Sequence, residues 1–281
     1  MNPSSTPNPT ASPLAGLRIC ILGAGTLGRA LARGLLDTGQ VRAEDITATV
    51  GHPSSCEAAS KSLGVPVTTD NATAARDAQV ILLAIKPQKM DAALASLADV
   101  CLDDKLLISV AAGVTTARIE ATLGRRAAVV RVMPNTPCLL RTGMSAVTGG
   151  AHSTSEQVEL TRTIFDSVGR TVVIDEALFD GVTALSASGP AYVFVVIESL
   201  AEAGVKLGIP REVSTLLAAQ TLRGASEMVL QLGAHPALLK DDVTTPAGCT
   251  IDGLLELEEG KLRVTLIKAV VKAAERAAQL G

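Results

Sequence analysis

Along the first half of the chain, short apolar runs alternate with longer amphipathic stretches. Residues 17–22, 46–50, 80–85, 106–110 and 127–133 read as strands, 144–147 and 171–174 as two later ones, with helical spacing between them. That alternation predicts an α/β domain around a largely parallel sheet. Beyond about Asp175 the strand signal stops, and helical patterns run through 177–185, 191–207, 211–232, 251–259 and 261–280. Three parts are expected: a disordered tail over 1–14, rich in Pro, Ser, Thr and Asn; an α/β domain over 15–175; and an all-helical domain over 176–281. The long Ala- and Leu-rich helices carry more apolar face than one small bundle hides, which predicts that two copies pack together through this domain.

The first strand runs directly into Gly23-Ala24-Gly25-Thr26-Leu27-Gly28, and Leu27, Ala30, Leu31, Gly34 and Leu35 then recur at helical spacing up to Gly39. Strand, glycine turn and helix thus follow in the order of a dinucleotide-binding, doubly wound Rossmann-type sheet. Gly23 permits the tight turn, Gly25 admits backbone to a pyrophosphate, and Gly28 allows close packing of helix on strand. An acid about 20 residues further on would hold the adenosine ribose of NAD. None ends the second strand. Thr49, His52, Ser54 and Ser55 stand there as donors, without an Arg, so NADPH is the expected cofactor and NADH the alternative.

Length and composition agree with this picture. A chain of 281 residues exceeds what one core usually organises. A net charge of −3, with no basic patch or aromatic platform, argues against nucleic-acid binding. No run of about 20 uncharged apolar residues predicts a membrane span, and no leader is recognised. Five cysteines without a C-x-x-C pair indicate free thiols and a reducing cytoplasm. The three histidines, His52, His152 and His235, have no metal-ligand spacing, so no metal is expected.

Three strand ends carry small or turn-forming residues that suit a nicotinamide pocket: Ala84 with Lys86 and Pro87, Ala111-Ala112-Gly113, and Pro134-Asn135. In the helical half, Ser186 to Tyr192 makes a hydroxyl-rich kink at Gly189-Pro190, with Thr183 about one turn upstream, so that Thr183 and Ser188 are expected to face one cleft. The second interruption, Thr244-Thr245-Pro246-Ala247-Gly248-Cys249-Thr250, lies between helical segments. With Thr250 as the expected N-cap, free amides there suit a carboxylate or phosphate.

From Leu17 to its C-terminus the chain resembles the pyrroline-5-carboxylate reductase family. The resemblance is carried by Gly23, Gly25 and Gly28; by Lys86-Pro87-Gln88; by Ala111-Ala112-Gly113; by Met133-Pro134-Asn135-Thr136-Pro137; by the kink over Ala187 to Tyr192; and by the loop over Thr245 to Thr250. It implies an α/β Rossmann-type domain followed by an all-α dimerisation domain, often assembled into decamers. It also implies hydride transfer to the C=N carbon of a cyclic imine carboxylate, giving L-proline. Thr245, Gly248, Cys249 and Thr250 would then hold the substrate carboxylate, and Thr183, with Ser188 beside it, the imine nitrogen.

Ala187 and Ala247 stand where the family has glycine, and Cys249 where it usually has a small residue or Thr. These departures keep open a related imine reductase acting on another ring, and a homologue that binds nucleotide without turnover. A β-hydroxyacid dehydrogenase would need a Lys early in the helical half, and 191–204 has none.

Overall fold

The computed structural model describes residues 13–279. The expected tail therefore lies outside the described residues as far as residue 12. Leu14, placed in that tail by sequence, is instead fully buried in the main core, because a turn over 13–16 folds it under the sheet.

Contacts divide the described chain into two compact units, one running to Ala187 with the residues from Ala274 onward, the other Ser188–Ala273. The first is built on eight strands: β1 Ile19–Leu22, β2 Ile46–Thr49, β3 Val67–Thr68, β4 Val80–Leu83, β5 Leu106–Ser109, β6 Ala128–Met133, β7 Gly143–Gly149 and β8 Gly169–Val173. Their order is β3-β2-β1-β4-β5-β6-β7-β8. Every pair is parallel except β6 with β7. Ile19 pairs with Ile46 on one side and Val80 on the other, so the chain reverses direction of winding about β1. Ligands of such a sheet bind outside the carboxyl ends at that reversal.

Between the strands lie α1 Thr26–Asp37, α2 Cys56–Leu63, α3 Asn71–Arg76, α4 Met90–Ala95, α5 Thr116–Leu123 and α6 Ser155–Asp166. Helices cover both faces, which is why β1, β4 and β5 are buried at every position. Ile19, Ile21, Leu82 and Ile108 pack with Leu31, Leu35 and Phe165 on one face, while Cys20, Leu22, Leu83 and Leu107 pack with Met90, Leu94 and Ile119 on the other. Residues 50, 110 and 174, read from sequence as the ends of their strands, are the first positions past the ladder, and 85 is the second. β3 is only two residues long and too short to leave a periodic signal.

The expected helix 177–185 is not regular. A short α7, Phe179–Val182, passes into a π-helical turn at Thr183–Ala187. This segment belongs to the first unit because Phe179 packs with Met133 and Ala146, and because Glu176 is held by Arg131 and Thr116. By contacts the compact unit accordingly runs on to 187, past the 175 at which the strand signal stops.

The second unit holds α8 Gly189–Lys206, α9 Arg211–Leu232, α10 Pro236–Asp242, α11 Cys249–Glu259 and most of α12 Leu262–Ala278. α8 and α9 approach so closely that a Cβ on Gly204 would lie 2.6 Å from the Ser214 hydroxyl. Among its described residues only Ala201, Ser214 and Ala218 are buried, while Phe194, Val195, Leu216, Leu217, Leu255, Ile267 and Val271 are exposed. The stretch Glu176–Lys206 is long and apolar enough to cross a membrane by length and composition alone, but a π turn and Pro190 interrupt it.

Candidate dinucleotide site and hydroxyl-rich loop

The glycine turn is shaped by three separate constraints. Gly23 has φ +101, and a Cβ there would come within 2.6 Å of the Ala84 carbonyl oxygen. A Cβ on Gly28 would overlap the Gly23 carbonyl oxygen, whereas one on Gly25 would meet nothing within 4 Å. Gly23 and Gly28 thus answer to packing, and Gly25 to open space at the sheet's carboxyl edge. The Ala24 amide donates to the Thr49 carbonyl at 2.7 Å, and Arg29 Nε to the Ala24 carbonyl at 2.9 Å, so the turn is fixed on both sides. Gly25 is the N-cap of α1 without a side-chain cap, and no acid stands in the first turn. The free amides at the start of α1 are therefore suited to an anion beside that open space.

Two clefts flank the turn. The larger, about 620 Å³, takes Gly23 and Gly25 with Thr49, Val50 and Gly51 from the end of β2, Thr69 and Asn71 from the end of β3 and start of α3, and Ala84, Lys86, Gln88 and Lys89 beyond β4. The smaller, about 340 Å³, takes Thr26 and Leu27 with Val110, Ala112, Met133, Pro134, Asn135, Thr136, Cys138 and Ala187. A lysine-bearing cleft and a smaller, more apolar one on either side of a free helix start fit the two ends of a nicotinamide dinucleotide.

Of the nominated cofactor residues, Gly23, Gly25, Thr49, Ala84 and Lys86 line the first cleft, and Thr26, Leu27, Ala112, Pro134 and Asn135 the second. Ala24 and Ala111 are buried and line neither cleft, and Pro87 opens the short turn of 3-10 helix that carries Lys89. Gly113 borders a different hollow, with Thr115, Arg131, Glu176 and Asp180. His52 and Ser54 line neither cleft. The His52 ring and the Ser54 hydroxyl bond each other at 2.7 Å, closing a local turn.

Asn135 spends its side chain on the fold. Its Nδ2 donates to the Ser186 carbonyl at 3.2 Å, and its Oδ1 accepts from the Met144 amide at 2.9 Å. The end of β6 is thereby tied to the π-helical turn that begins at Thr183. The Thr183 hydroxyl itself donates to the Phe179 carbonyl at 2.7 Å. Thr183 falls in the first unit and Ser188 in the second.

Beneath this segment, Arg131 is only 4% exposed, ion-paired to Glu176 at 3.0 Å, with its guanidinium 4.7 Å from the centre of the Phe179 ring. Glu176 also accepts from the Thr116 amide at 2.9 Å and the Thr116 hydroxyl at 2.7 Å. Burial pushes its carboxyl up, but the Thr116 bonds and the Arg131 charge outweigh that and hold it below the usual carboxylate range. Cys138, in the smaller cleft, is raised by burial and stays a neutral thiol at ordinary pH.

In the second unit the loop before α11 differs from expectation at its cap. Gly248, not Thr250, is the N-cap, since its extended backbone (φ −82, ψ 156) starts the helix at Cys249, and Thr250 occupies the second helical position. The Gly248 amide donates to the Thr245 carbonyl at 3.0 Å, and a Cβ on Gly248 would overlap the Thr245 hydroxyl. Ala247 is held at φ +56, a left-handed conformation that glycine takes freely. Thr245, Ala247 and Cys249 are exposed, Gly248 and Thr250 half-buried.

Sequence reasoning passed over Lys89, Asn71, Arg131 and Glu176. Lys89 had a usable signal, a second Lys three residues after Lys86 at a strand end. Arg131 lay within an apolar strand, where a charge with no partner in sight reads as noise.

Fold and turn together define a nicotinamide-dinucleotide oxidoreductase of the Rossmann type with a helical second part. A family model for pyrroline-5-carboxylate reductase dimerisation matches residues 176–280, and one described as NADP oxidoreductase, coenzyme F420-dependent, matches 18–113. The chain is 40% identical to a pyrroline-5-carboxylate reductase of Methanosarcina acetivorans over 94% of its own length and 98% of the relative's. To that of Arabidopsis thaliana it is 38% identical, over 96% and 97%. Among solved structures, a pyrroline-5-carboxylate reductase from Coxiella burnetii superposes with a TM-score of 0.89 at 35% identity, covering 94% of this chain and 98% of that one. The Plasmodium falciparum enzyme with NADP bound gives 0.84 at 33%, covering 95% and 98%. The chain belongs to the pyrroline-5-carboxylate reductase family.

Proposed function

We propose that this chain reduces 1-pyrroline-5-carboxylate to L-proline, with NADPH as the hydride donor to the C=N carbon and NADH as a poorer substitute. The observation that carries the reading is the uncapped, acid-free start of α1 between a lysine-bearing cleft and an apolar one. The amides of α1 take the pyrophosphate, the cleft beyond β2 and β4 the adenosine end, and the cleft beside Ala112, Pro134 and Asn135 the nicotinamide.

A protonated cyclic imine gains no anionic centre on reduction, so the site has little call for a strong acid or base. Positioning and hydrogen bonding carry the rate. Thr183 serves as hydrogen-bond partner of the imine nitrogen, with Ser188 supporting it. Thr245, Gly248, Cys249 with its amide, and Thr250 hold the carboxylate. The amides of the first turn of α11, which Gly248 caps, suit that anion.

The exposed apolar face of the helical unit lies within the match to the family's dimerisation domain, and a second copy covers it. Assembly of dimers into a decamer and residence in the cytoplasm belong to the same reading. A second reading, an imine reductase for another ring, is favoured by Ala187, whose methyl group stands in the smaller cleft where the family has glycine.

Initial rates of NADPH and NADH oxidation with 1-pyrroline-5-carboxylate, 1-piperideine-6-carboxylate and 1-pyrroline-2-carboxylate test both. Fast turnover of the first, with proline as product, supports the main reading. Preference for another ring supports the second, and cofactor binding without turnover sinks both.

A further inference from the structure

We propose that Lys89 is the residue that selects NADPH over NADH, its ammonium taking the 2′-phosphate. This rests on the NADPH-dependent reading above and names the group that enforces it. In a doubly wound dinucleotide fold the adenosine ribose lies beyond the end of the second strand, and the residue facing its 2′ position decides between hydroxyl and phosphate. Here that end is Thr49-Val50-Gly51, and no carboxylate lines the cleft around it. Two of the donors on the strand's own loop, His52 and Ser54, bond each other and line neither cleft.

The charge comes from the next loop over. Lys89 Nζ stands 3.9 Å from the point a Cβ on Gly51 would occupy, so the ammonium hangs over the very end of β2. The glycine leaves that path open. Lys89 has no ion pair among the described residues, and Asp91, its nearest acid in sequence, instead faces Arg118 at 3.5 Å. Lys86 lines the same cleft, but none of its atoms comes within 4 Å of that point. An exposed, unneutralised ammonium is a point charge well matched to a phosphate dianion. It supplies from the β4 side the cation that the end of the second strand lacks.

The test measures KM for NADPH and NADH in the wild type, Lys89→Ala and Lys89→Arg, together with calorimetric Kd values for 2′,5′-ADP and 5′-AMP. The expected result for Lys89→Ala is a rise of about tenfold in the ratio of KM for NADPH to KM for NADH, the size of one lost charge-assisted hydrogen bond. The preference for 2′,5′-ADP over 5′-AMP should shrink in parallel, weaken with added salt more steeply in the wild type than in Lys89→Ala, and recover partly in Lys89→Arg. An equal rise in both KM values, or an unchanged ratio, overturns the assignment. So does a wild type that binds the two nucleotides equally. Because the calorimetry needs no imine, it reads the Lys89 subsite even if the assigned substrate proves wrong, and the two failures stay distinct.

Discussion

Gly28 and Ala247 show from opposite sides what a single Cβ costs. At Gly28 the atom would overlap a carbonyl, and the chain has none; at Ala247 the atom is present although the backbone sits at φ +56. Holding a non-glycine residue in that region costs about 1 kcal/mol, and more for a β-branched one. Ala247→Val is therefore expected to lower unfolding stability by about 1–2 kcal/mol, and Ala247→Gly to hold or raise it, read from urea midpoints. Equal midpoints for all three would remove the strain argument. Thr183→Ala should lower kcat by about tenfold or more with little change in KM, as removal of a hydrogen bond made to the reacting nitrogen does. Thr250→Val should mainly raise KM for the imine. Steady-state kinetics that leave either variant like the wild type would strip that residue of its role. At this scale the sequence exposed residues whose type is unusual for their place, such as the glycines, the hydroxyls around Pro190 and Pro246, and Ala247. It hid residues whose meaning depends on a distant partner. Asn135 lines the smaller cleft, as its strand-end position suggests, but its side chain is also bonded to Ser186 and the Met144 amide. Nothing local in Pro134-Asn135-Thr136 announces that bond, which spans 51 residues of chain.

The elements were legible where periodicity is strong and the run is long. β1, β4 and β5 are continuous apolar runs because both faces are covered, and α8 and α9 repeat over many turns. What stayed hidden is the joint at 176–187, where a helical pattern is real but its hydrogen bonding shifts to a π turn under tertiary constraint. That joint is secured by Glu176, which gathers the start of α5, β6 and its own segment through Thr116 and Arg131. Removing one partner of so buried a pair leaves a charge without compensation, typically about 3–5 kcal/mol. Glu176 is partly open to solvent, so Glu176→Ala is expected at the low end of that range, with a lower Tm by calorimetry. A change under about 1 kcal/mol, the worth of a surface pair, would reduce the cluster to an ordinary salt bridge. The sign with pH follows from the lowered carboxyl. Its contribution is present in full above the ordinary carboxylate range and is lost as pH falls through the depressed folded value, where the wild type should lose stability that Glu176→Ala no longer has to lose.

For the molecule as a whole, the two units obey different rules of stability. The Rossmann unit closes its own cores on both faces of the sheet, while the helical unit buries little more than Ala201, Ser214 and Ala218 among its described residues. Its large apolar side chains face outward, with Phe194 64% and Leu216 68% exposed. At about 25 cal/mol per Å² of apolar surface, such side chains gain about 1.5–3 kcal/mol each when covered, so a dimer is where this unit finds its core. The same physics makes the oligomer sensitive to a single charge. Phe194→Asp should shift the species seen in sedimentation velocity toward monomer and lower the temperature at which helical circular dichroism is lost, more steeply at low protein concentration. The wild type should show that concentration dependence only weakly, being saturated as an oligomer. A Phe194→Asp chain that keeps the wild-type mass and melting temperature at every concentration would mean that Phe194 lies outside the covered face. Repeating the measurement with Leu217→Asp, on the helix packed against that of Phe194, then separates a wrong residue from a wrong face. If neither substitution disturbs the assembly, the helical unit is not held together by this apolar surface.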